Sequence, residues 1–278
     1  MVTRVAARAR VASGGRWFSE NPSKAWGEKF FLLYTPYWML GMGILMRTGA
    51  GGRWGDLALN LAMLALLAPL LVVPALVRDE RALGRPWYRT YWLKLNLWIG
   101  IFAAVGSYFG SEYFFDVLGM VYRYPQLDWT LDSVLLGSND QRVPLIMYTS
   151  AHFYFVTYHT AAVVVMRRAR TSRLLGRAWL WPLTVVATAY GFAWAETFFM
   201  TDPSIAEQFT YRDLPRMLRW GSLFYACYFF VSFPMIYRLD ERPEDDWPLR
   251  RVCVEALAAG MLVLFLLDAV TRVVGRMY

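Results

Sequence analysis

Four stretches of this 278-residue chain, 57–77, 143–166, 178–195 and 220–237, run without a single Asp, Glu, Lys or Arg. Each is close to the ~20 apolar residues that a helix needs to cross the hydrocarbon core of a bilayer. Three further segments approach that standard. The first, 30–46, opens behind Glu28 and Lys29; another, 95–119, carries Glu112 and Asp116 near one end; the last, 252–275, contains Glu255 and Asp268. The runs are continuous rather than alternating, which selects helices over a barrel, and lipid permits only those two solutions. Composition agrees, since 57% of the residues are hydrophobic and 18% charged, against roughly 45–50% and 25% in soluble domains. A disordered chain, a collagen, a disulfide scaffold and an ordinary soluble enzyme are excluded.

The expected fold is therefore all-α, a polytopic integral membrane protein of about seven transmembrane helices. They form one domain over 28–278, preceded by a basic tail or interfacial segment at 1–27. Prolines 36, 69, 74, 182 and 234 should kink or terminate their helices and open room between them. Cys227 and Cys253 lie in apolar stretches and read as reduced packing residues.

Orientation follows from the loops. The N-terminal segment and loops 78–89, 167–177 and 238–251 together hold 18 Lys and Arg, and the loops on the other side hold 9. The positive-inside rule then puts the N-terminus inside and the C-terminus outside. These short basic loops suit anionic lipid headgroups, so the net charge of +8 calls for membrane lipids and not nucleic acid as partner. No apolar signal core precedes residue 28. The expected location is a bacterial inner membrane, or the endoplasmic reticulum in a eukaryote.

An ionisable residue inside a span is costly and marks a functional site by default. Here the candidates are Lys94, Glu112, Asp116, His152, His159, Glu196, Glu255 and Asp268. Both histidines of the chain lie in the fourth span, seven residues apart, and so about 20° apart around the helix axis. They read either as structural hydrogen-bonding groups or as proton carriers; the spacing does not suit a metal site. Glu196 sits among Tyr190, Phe192 and Trp194. A dry site favours the uncharged form of both groups, which makes such a carboxyl a proton donor and a neutral imidazole an acceptor. Glu112 and Asp116 are one turn apart, Asp268 has Arg272 at i+4 as an ion-pair partner, and Lys94 reads as snorkelling to the interface.

Longer strings carry a family resemblance. Asn21-Pro22-Ser23-Lys24-Ala25-Trp26-Gly27-Glu28, followed by Phe30 to Pro36, resembles the opening of the cycloeucalenol cycloisomerases. So do Tyr91-Trp92-Leu93-Lys94-Leu95-Asn96-Leu97-Trp98, Tyr113 to Gly119, His152 with Tyr158-His159, and Glu196-Thr197. The likeness continues through Leu223 to Met235, Arg238-Leu239-Asp240-Glu241, Trp247 and Leu267-Asp268, in order along the chain. Two departures stand out: the plant members have His-Tyr-Phe-Phe where this chain has Glu112-Tyr113-Phe114-Phe115, and the loop around 135–142 is longer here.

The resemblance implies an isomerase of sterol biosynthesis that opens the 9β,19-cyclopropane of a cyclopropyl sterol to a Δ8 sterol. Such chemistry needs an acid for C19, a base for the C8 proton and surroundings that tolerate positive charge at C9, with no cofactor and no metal. The expected catalytic residues are Glu196, His159, His152 and Glu112, with Glu196 the acid; an imidazolium held by Glu112 is the opposite assignment. The sterol should enter from the bilayer and lie beside Trp98, Tyr108, Tyr158, Trp194 and Tyr228. Two other readings stand beside it: a non-catalytic sterol-binding membrane protein, whose cavity would need the aromatics but not several buried titratable groups, and an isomerase that moves a sterol double bond with a similar acid/base set.

Overall fold

The computed structural model describes residues 15–77 and 86–278. Residues 1–14, which hold most of the expected basic tail, and residues 78–85 of one basic loop lie outside the described residues. Each expected segment falls largely within one long helix: α1 (Pro22–Arg47), α2 (Asp56–Leu76), α3 (Tyr91–Leu118), α4 (Leu145–Arg170), α5 (Trp181–Met200), α6 (Leu214–Arg238) and α7 (Leu249–Val274). Of these, α2, α3 and α7 are long and apolar enough to cross a membrane.

Local chemistry sets the boundaries. The Asn21 side chain accepts from the Ser23 N–H at 3.1 Å and Pro22 stands in the first turn, a cap and starter that need no backbone donor there. The helix thus begins inside the segment expected to be a tail. Asp213 caps α6 in the same way, through the Arg216 N–H at 3.0 Å. Pro36, Pro69, Pro74 and Pro234 lie within helices, while Pro182 sits in the first turn of α5. Both cysteines are free.

Helix α4 is the hub and packs against α1, α2, α3, α5 and α6, while α7 leans on α3 and α6. The outer faces keep large apolar side chains exposed, among them Leu57, Leu61 and Leu64 of α2 and Leu257, Met261 and Phe265 of α7. Such broad apolar exposure belongs to a surface solvated by lipid. At the end where α1 and α5 finish, two short strands, β1 (Met120–Tyr122) and β2 (Phe209–Tyr211), pair antiparallel across the connections.

The opposite end is held by charge. Arg167, at the last turn of α4, binds Glu28 of α1 in a two-pronged contact at 2.6 and 2.9 Å and Glu241 through its Nε at 2.6 Å. Lys24 donates to the carbonyls of Tyr237 and Leu239 at the end of α6, at 3.0 and 2.6 Å, and pairs with Glu241 at 3.0 Å. Lys94 corrects an expectation. It does not snorkel; it is 1% exposed and reaches Asp240 and Asp246, each at 2.6 Å. Asp240 takes a left-handed backbone at φ 45°, which aims its carboxylate at both Lys94 and the Trp247 N–H. This ionic clasp ties the starts of α1 and α3 to the ends of α4 and α6.

Candidate active site

A cavity of about 780 Å³ opens among α1, α4, α5, α6 and the strand pair. That volume lies within the usual range for small-molecule sites, and the wall is mostly apolar, as such sites are. Seven of the thirteen methionines line it, including Met39, Met42 and Met46 of α1. Gly43 stands among those three, and a Cβ there would meet no heavy atom within 4 Å. The rim is polar, with Arg47, Asp202, Ser204 and Gln208 where the helices end.

Within the cavity wall the carboxyl of Glu196 is set apart from the rim charges. It is 3% exposed, and its Oε2 is buried without a hydrogen-bond partner. The other ionic groups on the wall, Arg47 and Asp202, are exposed residues of the rim. Four tyrosines share the wall with Glu196: Tyr154 and Tyr158, one turn apart on α4, and Tyr225 and Tyr228 on α6. Behind them the Tyr211 and Tyr225 hydroxyls meet at 2.6 Å.

Helix α3 shapes the facing wall. Its regular winding, Tyr91–Val105, gives way to wider π turns at Gly106–Gly110 and Phe114–Leu118. Turns of that kind recur at functional sites because they redirect side chains. Here Ser107, Ser111 and Phe114 line the cavity. Gly110 is indispensable to the arrangement: a Cβ at that position would collide with the Tyr228 hydroxyl, and one at Gly106 would touch the same ring at 3.4 Å.

Of the four expected catalytic residues, the cavity wall contains Glu196 alone. His159 is fully buried one layer back, ringed by Trp98, Phe102, Phe155, Phe229 and Phe233. Its Nδ1 faces the Phe155 carbonyl at 2.7 Å, an acceptor, so the proton sits on Nδ1 and Nε2 accepts from the Ser232 hydroxyl at 2.8 Å. His152 turns toward α3, where its Nε2 meets Asn96 Oδ1 at 2.9 Å. Glu112 faces the 137–139 loop and accepts from the Asn139 N–H at 3.2 Å, while Asp116 accepts from the N–H and hydroxyl of Ser138.

The aromatic expectations divide in the same way. Tyr158 and Tyr228 are on the wall. Trp98 is sealed in the core against His159, Tyr108 is half-buried away from the lining, and Trp194 is 60% exposed on the outer face of α5. Sequence reasoning missed Tyr154 and Tyr225. Their spacings to Tyr158 and Tyr228, four and three residues, place each pair on one helix face, and that signal was available.

The chain is 38% identical over 262 residues to the cycloeucalenol cycloisomerase of Arabidopsis thaliana, covering 92% of this chain and 89% of that protein. No family model matches the chain. No solved structure matches it.

Proposed function

Because the chain belongs to the cycloeucalenol cycloisomerase family, we propose that it is a membrane isomerase that opens the cyclopropane of a cycloeucalenol-like sterol, without a cofactor, to give a Δ8 sterol bearing a C19 methyl group. The observation that carries this reading is a single uncharged-ready carboxyl, Glu196, set in the wall of a sterol-sized apolar cavity. Proton transfer from Glu196 to C19 breaks the C9–C19 bond and leaves positive charge at C9. The ring faces of Tyr154, Phe155, Tyr228 and Phe229 on the wall stabilise that charge as aromatic faces stabilise cations. Loss of the C8 proton then forms the C8–C9 double bond.

In this reading His159 and His152 are positioning residues. His159 braces Phe155 and Phe229 from behind, and His152 fixes α4 against α3 through Asn96. Glu112 anchors the 137–139 loop. The seven long helices all span the bilayer with the N-terminus inside, which places the ionic clasp on the cytoplasmic side and the polar rim on the other. The sterol enters laterally from the bilayer, with its 3-hydroxyl toward the rim. Reporter fusions after residues 50, 85, 135, 172, 208 and 245 should alternate in side; two consecutive fusions on one side refute the seven-span arrangement.

The activity test is direct. Gel-filtered protein, with chelator present, should convert cycloeucalenol to a ring-opened Δ8 product identified by mass spectrometry. Glu196→Gln should lower turnover by about 10²–10⁴-fold, as expected for loss of a general acid, while leaving the protein folded. Tight sterol binding with no conversion would favour a non-catalytic sterol-binding protein.

A further inference from the structure

The cavity wall is closed on most sides. Among the described residues, those that α2, α3, α4 and α6 contribute to it are all buried or half-buried. The exposed wall residues are Met39 and Arg47 of α1, Phe199 of α5, and Asp202 and Ser204 just beyond α5. A residue that lines a cavity and is exposed as well stands at its opening. The opening is therefore a slot, with α1 along one edge and α5 and its continuation along the other. Helix α4, against which both pack, supplies the wall between them through Tyr154, Thr157 and Tyr158.

Two glycines of α1 distinguish its packed face from its open one. Gly41 and Gly43 project about 200° apart around the helix axis. A Cβ at Gly41 would collide with Leu66 of α2, so that face is filled. Gly43 lines the cavity, and a Cβ there would meet no heavy atom within 4 Å. The slot is also graded along its length. Arg47, Asp202 and Ser204 make one end polar, and Phe199 and Met39, the latter about 12 Å before Arg47 along α1, make the remainder apolar. Leu40 and Ile44 of α1 and Phe198 of α5 extend the exposed apolar surface beside it. Inside, Glu196 is one turn from Phe199 and Met200 on α5.

We propose that this slot is the door through which the sterol passes between bilayer and cavity, with Gly43 and Phe199 as its facing edges. The identity of the passenger rests on the functional reading above. A flat apolar ring system with one hydroxyl matches a slot that is apolar along its length and polar at one end, and such a molecule enters edge-on. A side chain standing in a doorway raises the barrier to entry and exit alike and leaves the bound state unchanged. Association and dissociation then slow together and Kd is conserved, whereas a change in the contacts of the bound state appears mainly in dissociation.

Stopped-flow energy transfer from the tryptophans to a fluorescent conjugated-polyene sterol measures both rates without relying on turnover. Full-length protein in detergent micelles is mixed with sterol-loaded micelles, and dissociation is followed by a chase with excess cycloeucalenol. Gly43→Phe should slow both rates by about tenfold or more, with Kd within about threefold of wild type. Phe199→Ala, which trims an exposed ring and so provides a test even where Gly43→Phe fails to fold, should speed both. Wild-type rates in Phe199→Ala, or a Kd in folded Gly43→Phe that changes as much as either rate, overturn the door. The expected rate pattern with no ring-opened product from wild-type protein leaves the door standing and removes the isomerase reading. Absence of sterol binding by wild-type protein overturns both.

Discussion

Replacing Arg167 with Met should produce a large loss of stability. Arg167 is 1% exposed and makes five hydrogen bonds, to both oxygens of Glu28, both of Glu241 and the carbonyl of Trp17. Its removal leaves Glu28, which is fully buried, with only the Ser19 N–H at 3.2 Å. Breaking a buried pair from one side typically costs about 3–5 kcal/mol, because a charge is stranded. At roughly 2–4 °C per kcal/mol for a chain of this size, the midpoint of thermal unfolding in detergent should fall by roughly 6–20 °C. The double variant Arg167→Met with Glu28→Gln removes the stranded charge and should recover part of the loss. Coupling between such partners typically amounts to ~0.5–3 kcal/mol. A single-variant shift under about 2 °C, or a double variant that loses the sum of the two singles, would refute the reasoning.

Three further expectations concern the same framework. Gly110→Ala should displace the Tyr228 hydroxyl from the cavity wall and lower kcat by up to about 10²-fold, with far less effect on the unfolding midpoint, since small misplacements at a reacting centre are that costly. His159→Leu should destabilise the protein by about 1–3 kcal/mol, the usual cost of stranding buried hydrogen-bonding groups; an unchanged midpoint would remove His159 from its bracing role. Burial alone would raise the Glu241 carboxyl, but hydrogen bonds from Arg167 and the charge of Lys24 outweigh it and hold it below the usual carboxylate range. Stability from Glu241 is therefore complete above the unfolded value of about 4.3 and is lost as pH falls through the lower folded value. The unfolding midpoint should be flat from neutral pH down to about 5 and drop in stronger acid, with the drop reduced in Glu241→Gln.

The helices were legible because spans without charge leave the backbone few choices in lipid. The stretch 57–77 and helix Asp56–Leu76 differ by one residue at each end. The start of α1 was hidden by composition: the segment before Glu28 is polar enough to read as a tail, although Asn21-Pro22-Ser23 is a helix-start pattern. Lys94 was misread because its partners, Asp240 and Asp246, lie 146 and 152 residues away, and no local pattern reports such a pairing. The strand pair went unseen since three-residue strands are too short to show alternation. In the candidate site Glu196 could be singled out from cost alone. The two histidines satisfied the same criterion and share one face of α4, where His152 meets Asn96 of α3 and His159 meets Ser232 of α6, while Tyr154 and Tyr158 fall on another face, which lines the cavity. Cost marks a residue as purposeful; it does not separate bracing from chemistry.

The methionines of the cavity wall have a consequence for the enzyme's chemical durability. Thioether sulfur takes up oxygen readily, and the sulfoxide it becomes is polar and stiff where the original side chain was soft and oily. Met39, Met42 and Met46 follow one another along α1 on the wall of the cavity, and Met39 is 47% exposed. Peroxidised lipid would reach them first. Each oxidised sulfur would set a strong dipole against the hydrocarbon of the substrate, so membrane oxidation should silence this protein through its pocket before it threatens the fold.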